Sequence, residues 1–243
     1  MAINLFFKIC QCPICQARFA EWLQTGTTAI VWEKYGGVGA GIRKAICPQC
    51  YSSDRERLVY LYFKDVFFVK NKKKPVKILH IAPEVNLSIF LMQHPFVEYI
   101  AADKRCDGYE YPNYVRDIDI MDMHDIADNT FDVIVCNHVL EHVPDDIVAM
   151  KELRRIMKSD GIAVLQVPFA LKLKKTFEDR SIVSSKKRFE AYGQSDHLRL
   201  YGTDYPQRLQ QAGFVVETLD LASRYSHKYG LNKKELLHVC HKR

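Results

Sequence analysis

The sequence predicts an α/β protein, a doubly wound and mostly parallel sheet, preceded by a small module of its own. Three observations carry this. From about residue 77 onward short apolar runs alternate with helical stretches, two Cys-x-x-Cys pairs lie within the first 50 residues, and a basic, proline-ended run, Lys70-Asn71-Lys72-Lys73-Lys74-Pro75, stands between the two regions. Alternating strands and helices are the pattern of a parallel sheet covered on both faces. Adjacent ammonium groups favour solvent, and proline disfavours helix at the residue before it, so the basic run reads as a surface joint. The expected organisation is residues 1–53 as the cysteine module, 54–74 as a connecting helix and joint, and 75–243 as the main domain.

In chain order, Cys12-Pro-Ile-Cys15 and Cys47-Pro-Gln-Cys50 bracket a glycine-bearing segment with Gly36, Gly37, Gly39 and Gly41. Two such knuckles can present four thiolates tetrahedrally to Zn2+, ordering a segment too small to fold on its own apolar burial. Four reduced structural cysteines, or a redox pair, are the other readings, and Cys10 lies close enough to compete as a ligand. Residues 54–68 follow as a helix, with Leu58, Leu61, Tyr62 and Val66 at helical spacing and Ser53 or Asp54 as cap. That helix is expected to pack the ribbon against the larger domain.

Downstream, residues 77–82, 97–103, 131–136 and 161–167 read as buried strands, with a helix over 144–157 that carries proline near its first turn. Two further strands are expected at 214–219 and 236–240. The 243 residues, 48% of them hydrophobic, suffice for one core and an accessory module. No apolar run reaches the roughly 18 to 20 residues that span a bilayer, and the opening MAINLFFKIC lacks a small-residue cleavage site, so a soluble cytoplasmic protein without membrane partners is expected. Eight cysteines in so long a chain read as metal-binding rather than as a disulfide framework, which fits a reducing compartment. A net charge of +6 in short clusters does not by itself call for nucleic acid.

In an open α/β sheet the ligand sits beyond the carboxyl ends of the strands. The first strand ends in His80-Ile-Ala-Pro-Glu84, with no glycine-rich turn, which removes a pyrophosphate cradle and disfavours a dehydrogenase. Asp103 ends the second, where a carboxylate can hold ribose hydroxyls; a helix cap or a solvated strand end is its alternative. The stretch from Asp117-Ile-Asp119-Ile120 and Asp122 through Phe131-Asp-Val-Ile-Val-Cys-Asn137-His138-Val-Leu-Glu141-His142 resembles the signature of class I S-adenosylmethionine methyltransferases. That resemblance implies a Rossmann-like fold and S-adenosyl-L-methionine as cofactor. It also implies adenine contact at Asp119 and Ile120, with Asp122 as the near alternative, and places Asn137 and His138 on the cofactor side.

The likeness extends over about the whole chain. The cysteine knuckles, Asp54-Arg-Glu-Arg57-Leu, Phe177-Glu-Asp179, Tyr192-Gly-Gln-Ser-Asp196-His197-Leu-Arg199-Leu-Tyr201 and Leu209-Gln-Gln-Ala-Gly-Phe214 together resemble a bacterial group of zinc-ribbon methyltransferases. Two departures stand out. Glu56 occupies a position where that group often has histidine, and the glycine loop is replaced by His80, Ala82 and Glu84, so any cofactor contact there would run through backbone groups and Glu84.

Methyl transfer from a sulfonium is an in-line displacement, in which a protein aligns the acceptor and, where needed, removes a proton. His142, directly after the fourth strand, is a candidate base; packing or capping the next helix is its alternative role. Residues 168–201 form a long lysine-bearing segment of the kind often used as a lid. Within it, an extended Asp196-His197-Leu-Arg199 would set His197 and Arg199 on one face, a base beside a fixed cation suited to an acidic acceptor. The other reading has them pin the loop through Glu178 or Asp179. Three functions stay open: a methyltransferase for a small, sugar-containing or acidic metabolite; one for RNA, with Arg43, Lys44, Arg55, Arg57 and residues 70–74 on phosphates, though without interleaved aromatic residues for stacking; and a non-catalytic interaction protein.

Overall fold

Runs such as Ile78-Leu79-His80-Ile81 and Val133-Ile134-Val135-Cys136 have no polar face, so as strands they need cover on both sides. The computed structural model describes residues 9–71, 73–105, 110–225 and 227–242; residues 1–8 of the expected ribbon and Lys72 of the expected joint lie outside these. The N-terminal region contributes β1 (Cys10–Gln11), β2 (Arg18–Phe19), β3 (Leu23–Thr25), α1 (Ile30–Tyr35), β4 (Gly37–Val38) and β5 (Arg43–Ile46). Then come α2 (Asp54–Tyr62), a π-helical turn (Phe63–Phe67), α3 (Phe68–Asn71), β6 (Val76–Ile81), α4 (Val85–Met92), β7 (Val97–Asp103), β8 (Val115–Asp117) and β9 (Phe131–Asn137). The chain continues through α5 (Asp146–Ile156), β10 (Met157–Gln166), β11 (Phe169–Ala170), α6 (Ser185–Tyr192), α7 (Tyr205–Gln211), β12 (Phe214–Leu219) and β13 (Leu237–Lys242).

Seven strands form one sheet in the order β8-β7-β6-β9-β10-β13-β12. Neighbours from β8 to β10 are parallel, while β13 runs antiparallel to both β10 and β12. This is the mostly parallel, Rossmann-like sheet that the sequence predicts. Alternate residues bury on opposite faces: Leu79, Ile81, Ile134 and Leu165 pack with Met150 and Leu153 of α5 and Leu209 of α7. On the other face Ile78, Val133, Val164 and Val239 meet Leu58 and Leu61 of α2 and Leu87 and Leu91 of α4. Helix α2 is thus a covering layer of the sheet as well as a link to the cysteine region.

Local chemistry sets the helix starts. Ser53 caps α2 by accepting from the Glu56 N–H, and Asp145 caps α5 by accepting from Val148. Helix α4 has no side-chain cap of its own. Glu56 reaches across from α2 instead and accepts from the N–H groups of Asn86 and Leu87 at 2.8 and 3.0 Å. The structural role of the carboxylate at this position is therefore a helix cap.

Several elements differ from the expected ones. The helix from residue 54 reaches Asn71, with a π-helical turn inside it. Strand β10 begins where α5 ends, four residues before the expected start, because its polar Ser159-Asp160 stretch forms a register irregularity between Met157 and Ile162. Strand β8, with only Val115 buried, is too short to stand out as an apolar run. Within the long segment after β10, Phe169 and Ala170 pair antiparallel with Val38 and Gly37, which ties the N-terminal region to the main sheet's loops.

Candidate active site and cysteine cluster

Cys12, Cys15, Cys47 and Cys50 converge at the base of the N-terminal region, their Sγ atoms all within 4.8 Å of one another. Cys12 and Cys50 approach to 3.6 Å and Cys15 and Cys47 to 3.7 Å. Those distances are far longer than a disulfide, and they match the edge of a tetrahedron of sulfurs around zinc, about 3.8 Å for Zn–S bonds of about 2.3 Å. The donor set therefore fits Zn2+. Cys10 instead turns its thiol to the Ala20 carbonyl. Trp22 packs on Cys12 and Cys47 and lies 3.8 Å beneath the Arg57 guanidinium. Arg57, fully buried, donates to the carbonyls of Ala45, Ser52, Tyr229 and Gly230, so one side chain joins the cysteine cluster to α2 and the loop before β13.

The strand ends carry a continuous polar chain. His80 at the end of β6 contacts the Tyr99 hydroxyl at 3.0 Å and Glu84 at 2.7 Å, and Asn137 at the end of β9 donates to Glu84 at 3.2 Å. Ala82 holds a φ of 48°, in the region that favours glycine, so the turn after β6 takes the glycine-like path without the residue. Asp103 ends β7 half-buried, and burial raises its pKa, with Asp117 adding to the rise. Burial also opposes ionisation of Asp119, but Lys104 at 2.6 Å and the Met121 N–H outweigh it and hold the carboxyl below its usual range. Ile120 points into the core, and Asp122 is exposed beside His124. For S-adenosylmethionine this ledge supplies carboxylates, a glycine-like turn and Asn137 Oδ1, which is buried without a hydrogen-bond partner, and these suit the group.

Next to Asn137, His138 also has positive φ, 57°, and leads into a cavity of about 320 Å³. One wall comes from the N-terminal region, with Trp32, Gly39, Arg43 and Arg55; the other carries His138, Glu141, His142 and His197. Polar atoms here are left without partners: Arg55 Nε, both ring nitrogens of His138, Glu141 Oε2 and His197 Nδ1. A buried polar group without a partner costs about 1–3 kcal/mol, so such a concentration marks a place built for a ligand. Burial pushes Glu141 up to about 8 and His197 down to about 4, lowers His142 against the opposing pull of Asp196, and takes His138 well below its ordinary value. Glu235, buried behind Gly39, is likewise raised to about 8 by burial and Asp54, against Arg55 and Arg43.

Of the expected catalytic residues, His142 and His197 meet edge to face with ring centroids 4.7 Å apart. Arg199 does not join them. Residues 193–198 turn rather than extend, so the expected common face for His197 and Arg199 does not form, and Asp196 instead reaches His142 Nδ1 at 3.1 Å. Arg199, 2% exposed, brackets the loop after β9 by donating to the carbonyls of Leu140, Val143 and Pro144 and to Glu178. The sequence leaves Glu141, Asp196 and Trp32 unassigned; the first two lie inside quoted motifs, whereas nothing local marks Trp32, whose hydrogen bond to Gly193 and ring contact with His197 span more than 100 residues.

A family model described as a methyltransferase domain matches residues 54–219. The chain belongs to this methyltransferase family. Together with the sheet and its strand-end ledge, the match makes the protein an S-adenosylmethionine-dependent methyltransferase. Among solved structures, the methyltransferase is similar to the PH0226 protein from Pyrococcus horikoshii OT3, at 17% identity and a TM-score of 0.49, over 80% of this chain and 94% of that one. An S-adenosylmethionine dependent methyltransferase from Mesorhizobium loti matches at 12% identity and a TM-score of 0.46, over 69% and 91% of the two chains. A chain from the complex between the Haloferax volcanii Trm112 methyltransferase activator and a methyltransferase matches at 11% identity and 0.45, over 76% and 92%. No curated protein matches the sequence. Among the described residues no helix is long and apolar enough to cross a membrane.

Proposed function

We propose that this methyltransferase modifies a small acidic acceptor, such as a sugar acid or another carboxylate or phosphorylated metabolite, held in the cavity between the N-terminal region and the loops after β9 and β10. The observation that carries the reading is Arg55, whose Nε is buried in the cavity wall without a partner while Arg43 stands beside it. An anionic acceptor supplies the missing acceptor atoms, and charge-assisted hydrogen bonds of this kind are the strong ones. The cavity volume, about 320 Å³, suits a metabolite-sized ligand.

When bound, S-adenosylmethionine supplies an electrophilic methyl carbon on a sulfonium. In this reading Asp103, Asp119 and the backbone at Ile120 hold its nucleoside end, His80, Ala82 and Glu84 line the turn after β6, and Asn137 and His138 separate it from the acceptor. His142, oriented by Asp196, faces the acceptor beside His197, and Trp32 shapes the opposite wall. Arg199 acts as a positioning residue for the loop that carries Glu141 and His142. The cysteine cluster holds Zn2+ in a structural role, and the ribbon over residues 1–53 serves as the cover of the acceptor site, with residues 75–243 as the cofactor-binding domain.

The test is transfer of label from methyl-tritiated S-adenosylmethionine into a cell extract separated into small-molecule, RNA and protein fractions, with Asp103→Ala and Arg55→Ala as controls. Label confined to acidic small molecules and lost in both variants is the expected result. Label in RNA, or label indifferent to Arg55→Ala, would overturn the acceptor class.

A further inference from the structure

On the acceptor side of the cavity, Glu141, His142 and His197 bring one ligating atom each within 4.8 Å of the others, well apart in sequence from the four cysteines. Two of the three are almost wholly buried, Glu141 at 1% and His197 at 3% exposure, and each has an unpartnered donor-capable atom, Glu141 Oε2 and His197 Nδ1. His142 completes the set from its Nε2, which lies 3.9 Å from Glu141 Oε1, because its Nδ1 is already held by Asp196 at 3.1 Å. Ligating histidines are commonly oriented in this way, with a carboxylate on the far ring nitrogen fixing the tautomer. His197 meets the edge of Trp32, with ring centroids 6.5 Å apart.

We propose that Glu141, His142 and His197 form a second metal site, for a divalent transition ion, separate from the cysteine cluster and facing the acceptor cavity. Two imidazoles and a carboxylate are a donor set for zinc or for octahedral iron, cobalt or manganese, and three protein ligands leave positions open for a ligand from the cavity. Donor atoms around such an ion sit roughly 3.0–3.4 Å apart at bond lengths of about 2.1 Å, so the set closes by about an ångström on binding. Arg55 and Arg43 line the same cavity as the three ligating side chains. The ligand this arrangement takes is a hydroxy acid: its hydroxyl oxygen reaches the ion and its carboxylate or phosphate reaches the Arg55 guanidinium, Arg43 being held by Asp54. That part of the proposal rests on the acceptor reading above; the metal site itself stands on the three side chains.

The site is tested with Co2+ alone, added to protein that holds one zinc per chain. Cobalt lies below zinc in the affinity order, so it leaves the cysteine cluster undisturbed. The expected result is uptake of one equivalent with a d–d spectrum free of thiolate charge-transfer bands, lost in His142→Ala and His197→Ala variants that keep their zinc and melt as the parent does. Asp196→Asn, at an exposed carboxylate, is expected to weaken cobalt binding about 10- to 100-fold, and it carries the test should the histidine variants fail to fold. No uptake beyond the zinc, a spectrum with thiolate bands, or unchanged affinity in the folded variants would overturn the site. Cobalt binding needs neither cofactor nor acceptor, so methyl-labelling that fails while cobalt binds sinks only the acceptor reading, and the reverse outcome sinks only this one.

Discussion

At the scale of single residues, the buried charges divide into those with a full set of partners and those without. Arg199 belongs to the first group, with three carbonyls and Glu178 around it. Replacing it by methionine strands those carbonyls and should cost about 3–5 kcal/mol in urea unfolding, with turnover falling only as the loop carrying Glu141 loosens. Glu56 is the second instance, since it serves as the cap that α4 lacks. Glu56→Ala should cost about 1–2 kcal/mol and speed hydrogen exchange at Asn86 and Leu87 while leaving the cysteine cluster intact. The pairing of Arg199 with Glu178 is one of the two readings the sequence offers. Its three carbonyl partners in the loop after β9, and the cap that Glu56 gives α4, could not be read from the chain alone, because only the folded sheet brings those groups together.

At the scale of elements, legibility followed burial. Strands β6, β7 and β9 are mostly apolar runs and match the expected ranges nearly to the residue, while β8 and the β4–β11 ladder consist of two or three residues whose pairing comes from tertiary contact. The cofactor ledge was legible through the ends of those clear strands; the cavity was not, because half of its wall comes from residues 25–55. Strand β13 makes an acid-sensitive element. Burial pushes His238 down to about 4, below the ordinary imidazole value near 6.5. The unfolded chain therefore binds the extra proton first, so the contribution of His238 is full above about pH 6.5 and is lost as pH falls toward about 4. His238→Gln should flatten the fall in Tm over that interval. An unchanged slope would place the acid sensitivity elsewhere.

At the scale of the whole molecule, the N-terminal region is linked to the domain at many points, among them Trp22 against Arg57, the β4–β11 pairing, and Thr27 on the Gly193 carbonyl at 2.9 Å. In the proposed scheme, stripping the metal from the four cysteines with a chelator should lower methyl transfer at least tenfold while the far-ultraviolet spectrum and cofactor binding stay near their starting values, since none of the ledge residues comes from that region. Loss of cofactor binding in parallel would show that the cover and the ledge are one unit. The sheet order also has a consequence for how the molecule is made. Strand β13 lies between β10 and β12, yet it is the last of the seven to leave the ribosome. Until residue 242 has been synthesised and has escaped the exit tunnel, β10 and β12 each present an unpaired edge, and such edges invite pairing with other chains. The nascent chain should therefore depend on chaperones most in the interval between the emergence of β12 and that of β13.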